Sequence, residues 1–190
     1  MLNQRSEMNA MSPHLNNGFT IIEIVVTLVI LGVISAVTVS RFGGSDSFSA
    51  YIIRDQIISL SRNAQQSSLG RADVKLIVTP SGDGQTVNIK TTNAGGTILS
   101  VNLALDSVML TGDVNKTESC ATNPASASLG AITNAAPFTL SFGELGSLIP
   151  SGFGAGTAVT SAVRICLDSR VEDSVCIAPS GFAYAGDCDA

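Results

Sequence analysis

From Phe19 to Val39 the chain is an almost unbroken apolar run with one ionisable group, Glu23, inside it. The run has about the 20 residues that a helix needs to cross a bilayer. A helix also lets a lone segment satisfy its backbone N–H and C=O groups internally in hydrocarbon. A membrane-spanning helix is therefore expected here, and the rest of the chain has to be arranged around it. A carboxylate at depth costs about 3 kcal/mol or more unless it is paired, protonated or held near the interface. Glu23 lies close to the start of the run, so snorkelling to the headgroups is one explanation and a functional partner is the other. Residues 1–18 are polar, contain Arg5 and Glu7, and lack the apolar core that a secretory signal places before its small-residue cleavage site. The order is reversed: the small residue, Gly18, precedes the apolar segment.

The text Gly18-Phe19-Thr20-Ile21-Ile22-Glu23, continued by Ile24-Val25-Val26-Thr27-Leu28-Val29-Ile30-Leu31-Gly32-Val33-Ile34, resembles the class III signal of type IV pilins and of the pseudopilins of type II secretion. The resemblance implies that a prepilin peptidase cuts between Gly18 and Phe19 and methylates the new amino group of Phe19, while the apolar helix stays in the chain. It implies a partner for Glu23, the amino terminus of Phe19 on a neighbouring subunit; an opposite charge removes the penalty of a buried carboxylate, and a wrong register leaves it unpaired. The implied organisation is a leader at 1–18, a transmembrane and filament-core helix at 19–42, its amphipathic continuation at 43–70 and a β-rich head at 71–190. The implied location is the bacterial inner membrane, with the head in the periplasm, and then an extracellular pilus or a periplasmic pseudopilus. Two departures stand out. The leader is long and Glu7 offsets Arg5, which leaves Met1, Met8 and Met11 as candidate starts, and Ser40 occupies the place where many pilins have a kinking proline. Gly32 and Gly43-Gly44 are the remaining weak points of the helix.

Beyond Gly44 a helix is expected, capped by Ser45 or Ser47. Ala50, Ile53, Ile57, Leu60 and Ala64 fall on one stripe with alternating spacings of three and four, and that stripe should face a sheet. Tyr51, Ile58 and Leu69 form a second apolar line that widens the core face or meets neighbouring helices. Gly70 is the expected C-terminal cap. The stretch Phe48 to Gln66 looks like the helix of H-type pseudopilins and of a minor pilin of the mannose-sensitive haemagglutinin pilus. That finer resemblance implies a minor pilin or pseudopilin, a structural subunit that assembles into, initiates or caps the filament; a tip adhesin on the same scaffold is the alternative.

After Gly70 the period becomes two. Val74, Leu76 and Val78 alternate with Lys75, Ile77 and Thr79; Val87 and Ile89 alternate with Asn88 and Lys90; Leu99, Val101, Leu103 and Leu105 alternate with Ser100, Asn102 and Ala104. Strands with one buried face follow, separated by the turns Pro80–Gly84 and Asn93–Gly96. Further strands are expected at Phe138–Phe142, Val163–Leu167, Val175–Ile177 and Phe182–Tyr184. The fold class is α+β, a long N-terminal helix on an antiparallel sheet or small β-sandwich. Glu118–Pro137 and Gly143–Ser161 read as long loops, with Gly152-Phe153-Gly154-Ala155-Gly156 a flexible stretch that lacks the Lys-Ser/Thr end of a phosphate loop.

Cys120, Cys166, Cys176 and Cys188 all lie in the part placed outside the inner membrane, where disulfides persist. Three connectivities are open. Cys166 and Cys176 are out of phase with their apolar neighbours, and a hairpin centred near Val171 would set them opposite each other; this favours Cys166–Cys176 with Cys120–Cys188, while the rival ties Cys188 to Cys176 or Cys166. No Cys-x-x-Cys pair supports zinc. The only histidine, His14, lies in the leader, so no histidine-based triad or metal site is expected in the mature chain. Lys75, Lys90 and Lys116 have no Ser-x-x-Lys setting. Asp168, Glu172, Asp173, Asp187 and Asp189 match no calcium-loop spacing. No enzyme activity, cofactor or metal is expected. The net charge of −5 is unchanged by loss of Arg5 and Glu7, and the absence of a basic run disfavours nucleic acid. The expected partners are the peptidase, the inner membrane and other filament subunits.

Overall fold

The computed structural model describes residues 20–41, 45–115, 120, 129–168, 173–186 and 188, without the side chains of 36–47. It divides into two units, 1–43 and 44–190. The first contains helix α1 (Ile21–Arg41). The second starts with helix α2 (Ser45–Ser68). Positions 42–44, including Gly43-Gly44, lie outside the described residues, and with them the expected continuity of one long helix.

α2 shapes the larger unit because one of its faces is apolar at helical spacing. Ala50, Ile53, Ile57, Leu60 and Ala64 are all buried in a single core with strands of both sheets. Removing such a face from water contributes about 25 cal/mol per Å² of apolar area. The helix ends where Gly70 takes a left-handed φ of 69°, and the Gly70 N–H donates to the Glu144 carbonyl at 2.9 Å. Polar clamps fix the C-terminal half: Arg62 donates through Nε and Nη2 to the Ala183 carbonyl at 3.0 and 2.8 Å, and Gln65 Nε2 donates to the Ser180 carbonyl at 2.8 Å. The Arg62 guanidinium also sits 5.0 Å from the Phe182 ring centre. Near the other end, the Ser49 hydroxyl donates to Asp106.

The strands are β1 (Val74–Pro80), β2 (Thr86–Asn93), β3 (Gly96–Ala104), β4 (Leu110–Val114), β5 (Gly130–Ala131), β6 (Phe138–Phe142), β7 (Leu148–Phe153), β8 (Val163–Leu167), β9 (Val175–Ile177) and β10 (Ala183–Ala185). They form two antiparallel sheets, the first in the order β3-β2-β1-β6-β7 and the second in the order β10-β9-β8-β4-β5. The fold is thus α+β, with helices followed by antiparallel sheets. Glycines bring the sheets together: a Cβ on Gly112 of β4 would lie 2.5 Å from the Phe138 ring, and one on Gly130 of β5 would lie 2.3 Å from the Phe153 ring. Phe138 and Phe153 meet edge to face with centroids 5.0 Å apart.

Two expectations need correction. Gly143–Ser161 is not one long loop: it contains β7, paired with β6, and a bridge between Ser151 and Thr157. Gly152 and Phe153 therefore belong to a strand end, and Gly154–Gly156 is the turn that folds back beside it. Within Glu118–Pro137 the described residues are 120 and 129–137, which include β5, and 118–119 and 121–128 lie outside the described residues.

Candidate functional site

The helix that carries Glu23 starts with a cap. Thr20 precedes α1, and its side-chain Oγ1 accepts the Glu23 N–H at 3.3 Å, while the Thr20 carbonyl accepts from Glu23 and Ile24 at 3.1 and 3.3 Å. Thr20-Ile21-Ile22-Glu23 has the Thr-x-x-Glu spacing of a capping box, a signal missed when the run was read only for its hydropathy. Glu23 consequently stands in the first turn of α1, where unpaired N–H groups and the helix dipole favour a negative charge. Its carboxylate is exposed and makes no hydrogen bond or ion pair among the described residues.

The next turns are apolar on every side. From Ile21 to Ile34 the large aliphatic side chains are exposed, Ile21 at 83 %. An all-round apolar helix is one that another phase or other helices must cover. Its two described hydroxyl side chains turn onto their own backbone: Thr27 Oγ1 donates to the Ile24 carbonyl at 2.8 Å and Ser35 Oγ to the Leu31 carbonyl at 2.7 Å. That satisfies both hydroxyls without solvent. Among the described residues no helix is long and apolar enough to cross a membrane; the described side chains of α1 end at Ser35, short of the about 20 residues a crossing needs. Gly18 and Phe19 lie outside the described residues.

α2 supplies the second group of singled-out residues. The stripe from Ala50 to Ala64 is directed at the core, while Tyr51, Ile52 and Leu69 remain exposed and Ile58 packs half-buried against the core edge. Arg54 lies 4.8 Å from the Tyr51 ring centre and pairs with Asp55 at 2.8 Å. This outward side of α2 thus mixes apolar surface with fixed charge.

The cysteines do not form the favoured Cys166–Cys176 and Cys120–Cys188 bonds but follow the rival that ties Cys188 to Cys176. The bonds are Cys120–Cys166 and Cys176–Cys188, with Cα atoms 5.6 and 5.2 Å apart. Cys166 and Cys176 do share one face, but they are not opposite each other: the register sets Cys176 opposite Arg164 and Cys166 opposite Thr111. Cys166 and Cys176 are then diagonal neighbours, about 7–8 Å apart, beyond the Cα separation a disulfide spans. Asp168 accepts the Met109 N–H at 2.8 Å, Asp173 is buried, and Glu172, Asp187 and Asp189 lie outside the described residues. No group of His, Cys, Asp or Glu able to hold a metal occurs among the described residues. Sequence reading also missed a pair of opposite charges, Asp113 and Arg164, directly opposed on β4 and β8 and both buried.

Comparison with known proteins gives one positive result. The model of the prokaryotic N-terminal methylation motif matches residues 14–39, which span the Gly18-Phe19 junction, the Thr20 cap, Glu23 and most of α1. No curated protein and no solved structure matches the chain.

Proposed function

We propose that this chain, which carries the prokaryotic N-terminal methylation motif typical of type IV pilins and pseudopilins at residues 14–39, is the precursor of a minor pilin or pseudopilin. Prepilin peptidase cleaves between Gly18 and Phe19 and methylates the Phe19 amine. The apolar segment then anchors the subunit in the inner membrane, and the same segment packs into a filament core when the subunit leaves the bilayer. The role is structural, not catalytic.

The observation that carries this reading is the state of Glu23: a carboxylate without a partner among the described residues, in the first turn of an all-round apolar helix. Its partner in the filament is the Phe19 amine of an adjacent subunit. Inside an apolar bundle an unpaired carboxylate is penalised far more heavily than a paired one, so the pair selects one axial register among many that the smooth apolar surface would accept.

Two measurements on Glu23→Ala test this. Processing at Gly18 and recovery in the membrane fraction should match the parent, while filaments containing the subunit should fall below about 1 % of the parent, as expected for breaking a buried pair at several kcal/mol. Normal filament incorporation of Glu23→Ala would refute the pairing. An uncut precursor in the parent strain would refute the proposal as a whole.

A further inference from the structure

The face of the first sheet turned away from α2 is open. Lys75, Ser100 and Asn102 are exposed there, and Ile77, Lys90 and Thr139 are half-buried. The register lays them out in rows. Ser100 is opposite Lys90, Lys90 opposite Ile77, Ile77 opposite Thr139 and Thr139 opposite Gly152. One row on, Lys75 stands between Thr92 and Ser141. Lys75 and Lys90 are thus diagonal neighbours on adjacent strands, about 7–8 Å apart.

The charge on this face is opposite to that of the whole chain. The five strands of the first sheet contain no Asp and no Glu, and they contain both lysines of the described residues. The chain carries −5 overall. A small positive field on an acidic molecule selects an anion and excludes the molecule's own carboxylate-rich surfaces. The neighbouring polar groups are already ordered: Asn88 Nδ2 donates to Ser100 Oγ at 2.9 Å and to Asn102 Oδ1 at 2.7 Å.

A groove of about 250 Å³ runs along this face, lined by Lys75, Thr139, Ser141 and the Gly154–Gly156 turn. The turn forms its wall because Ser151 and Thr157 exchange backbone hydrogen bonds at 3.0 and 2.7 Å, which folds the chain back over the sheet. Gly156, at a φ of 83°, passes so close to Pro150 that a Cβ would sit 2.9 Å from its carbonyl carbon. The groove lies below the ~300–1,000 Å³ of sites that enclose a whole small ligand, so it suits one unit of an extended ligand.

We infer that the open face of the first sheet binds an acidic polysaccharide, with Lys75 in the groove pairing with the carboxylate of one sugar unit and Lys90 extending the contact to the next. Hydroxyl and amide side chains arranged in rows match a polyhydroxylated ligand. Nucleic acid is the poorer fit, because the face offers two lysines and no aromatic platform for stacking bases. The inference does not depend on filament assembly.

The test uses the full chain in detergent micelles, with polygalacturonate, neutral dextran and duplex DNA as immobilised probes. Polygalacturonate should retain the protein, added salt should weaken retention, and dextran should not retain it. The Lys75→Gln, Lys90→Gln double variant should bind at least about tenfold more weakly, whereas Arg71→Gln, an exposed cation outside the strands, should bind like the parent. The Lys75→Arg, Lys90→Arg variant should also retain binding, which separates charge from a defect in folding. No retention on polygalacturonate, equal retention on dextran, tighter retention on DNA, an unaffected Gln double variant or a failed Arg variant would each overturn the inference.

Discussion

The two sheets share one core but meet their surroundings in opposite ways. In the first sheet β1 alternates buried and accessible residues along its whole length, so one face belongs to the core and the other is open. In the second sheet β8 and β9 are buried at every residue and β4 at all but its last. Its outer face carries two buried clusters, one of Cys120, Leu129 and Cys166 and the other of Ala162, Cys176 and Cys188 with Tyr184 of β10 packed against it. Both disulfides insert there, since Cys166 and Cys176 share that face. A sheet of strands with two to five residues is held by covalent links on its outer face, whereas the first sheet, with strands of five to nine residues, carries none.

The largest effect should come from removing those links. The Cys120–Cys166 bond closes a separation of 46 residues and Cys176–Cys188 one of 12, for which chain entropy gives about 4 and about 3 kcal/mol. Denaturant unfolding of Cys120→Ser with Cys166→Ser should therefore show the greater loss, with Cys176→Ser with Cys188→Ser next. The reverse ranking would mean that the tail covers the sheet more effectively than the loop. Peptide mapping without reduction checks the connectivity itself.

A smaller loss is expected where the sheets touch. Gly112→Ala drives a methyl group into the Phe138 ring, and should destabilise the protein by about 1–3 kcal/mol through overpacking. Ser100→Ala on the open face should stay within about 0.5 kcal/mol. Equal thermal shifts for the two would contradict the contrast between a sealed joint and a solvated face.

The smallest effect belongs to the β1–β2 turn of the first sheet. Asp83 accepts hydrogen bonds from the Ser81 hydroxyl and from the Gln85 N–H at 3.0 Å, which hold its carboxyl below the ordinary value of 3.8. A folded pKa below the unfolded one gives stability that is present above about pH 3.8 and fades as pH falls through the folded value. NMR titration should find a midpoint for Asp83 below 3.8, and Ser81→Ala should move it upward. An unchanged midpoint in that variant would remove the hydroxyl as the cause.

The same contrast explains what the sequence made legible. The stripe in α2 and the alternation in β1 and β2 are readable because each element has one wet face, and water imposes a period. β4, Leu-Thr-Gly-Asp-Val, gives no such period: Thr111, Gly112 and Asp113 are buried among neighbours, not turned to solvent. β7 was hidden by Pro150 and Gly152, which read as loop residues although they sit at a register shift and a strand end. The cysteine pairing needed the β8–β9 register to within one residue, and phase alone supplies only the face. At the candidate site, hydropathy exposed Glu23, while the Thr20 cap was masked by the apolar text around it.

The clamps on α2 also determine how a load would pass through the head. Tension entering at Ser45 runs along the helix axis, so the buried stripe, the Arg62 and Gln65 bonds and the Gly70 contact resist together in shear and cannot be peeled one at a time. Both cross-links lie between residues 120 and 188, so none of that resistance is covalent, although the Arg62 and Gln65 bonds end on the cross-linked part, at Ala183 of β10 and at Ser180. The seat of the helix is thus the part of the head whose resistance to a pull rests on packing and hydrogen bonds alone.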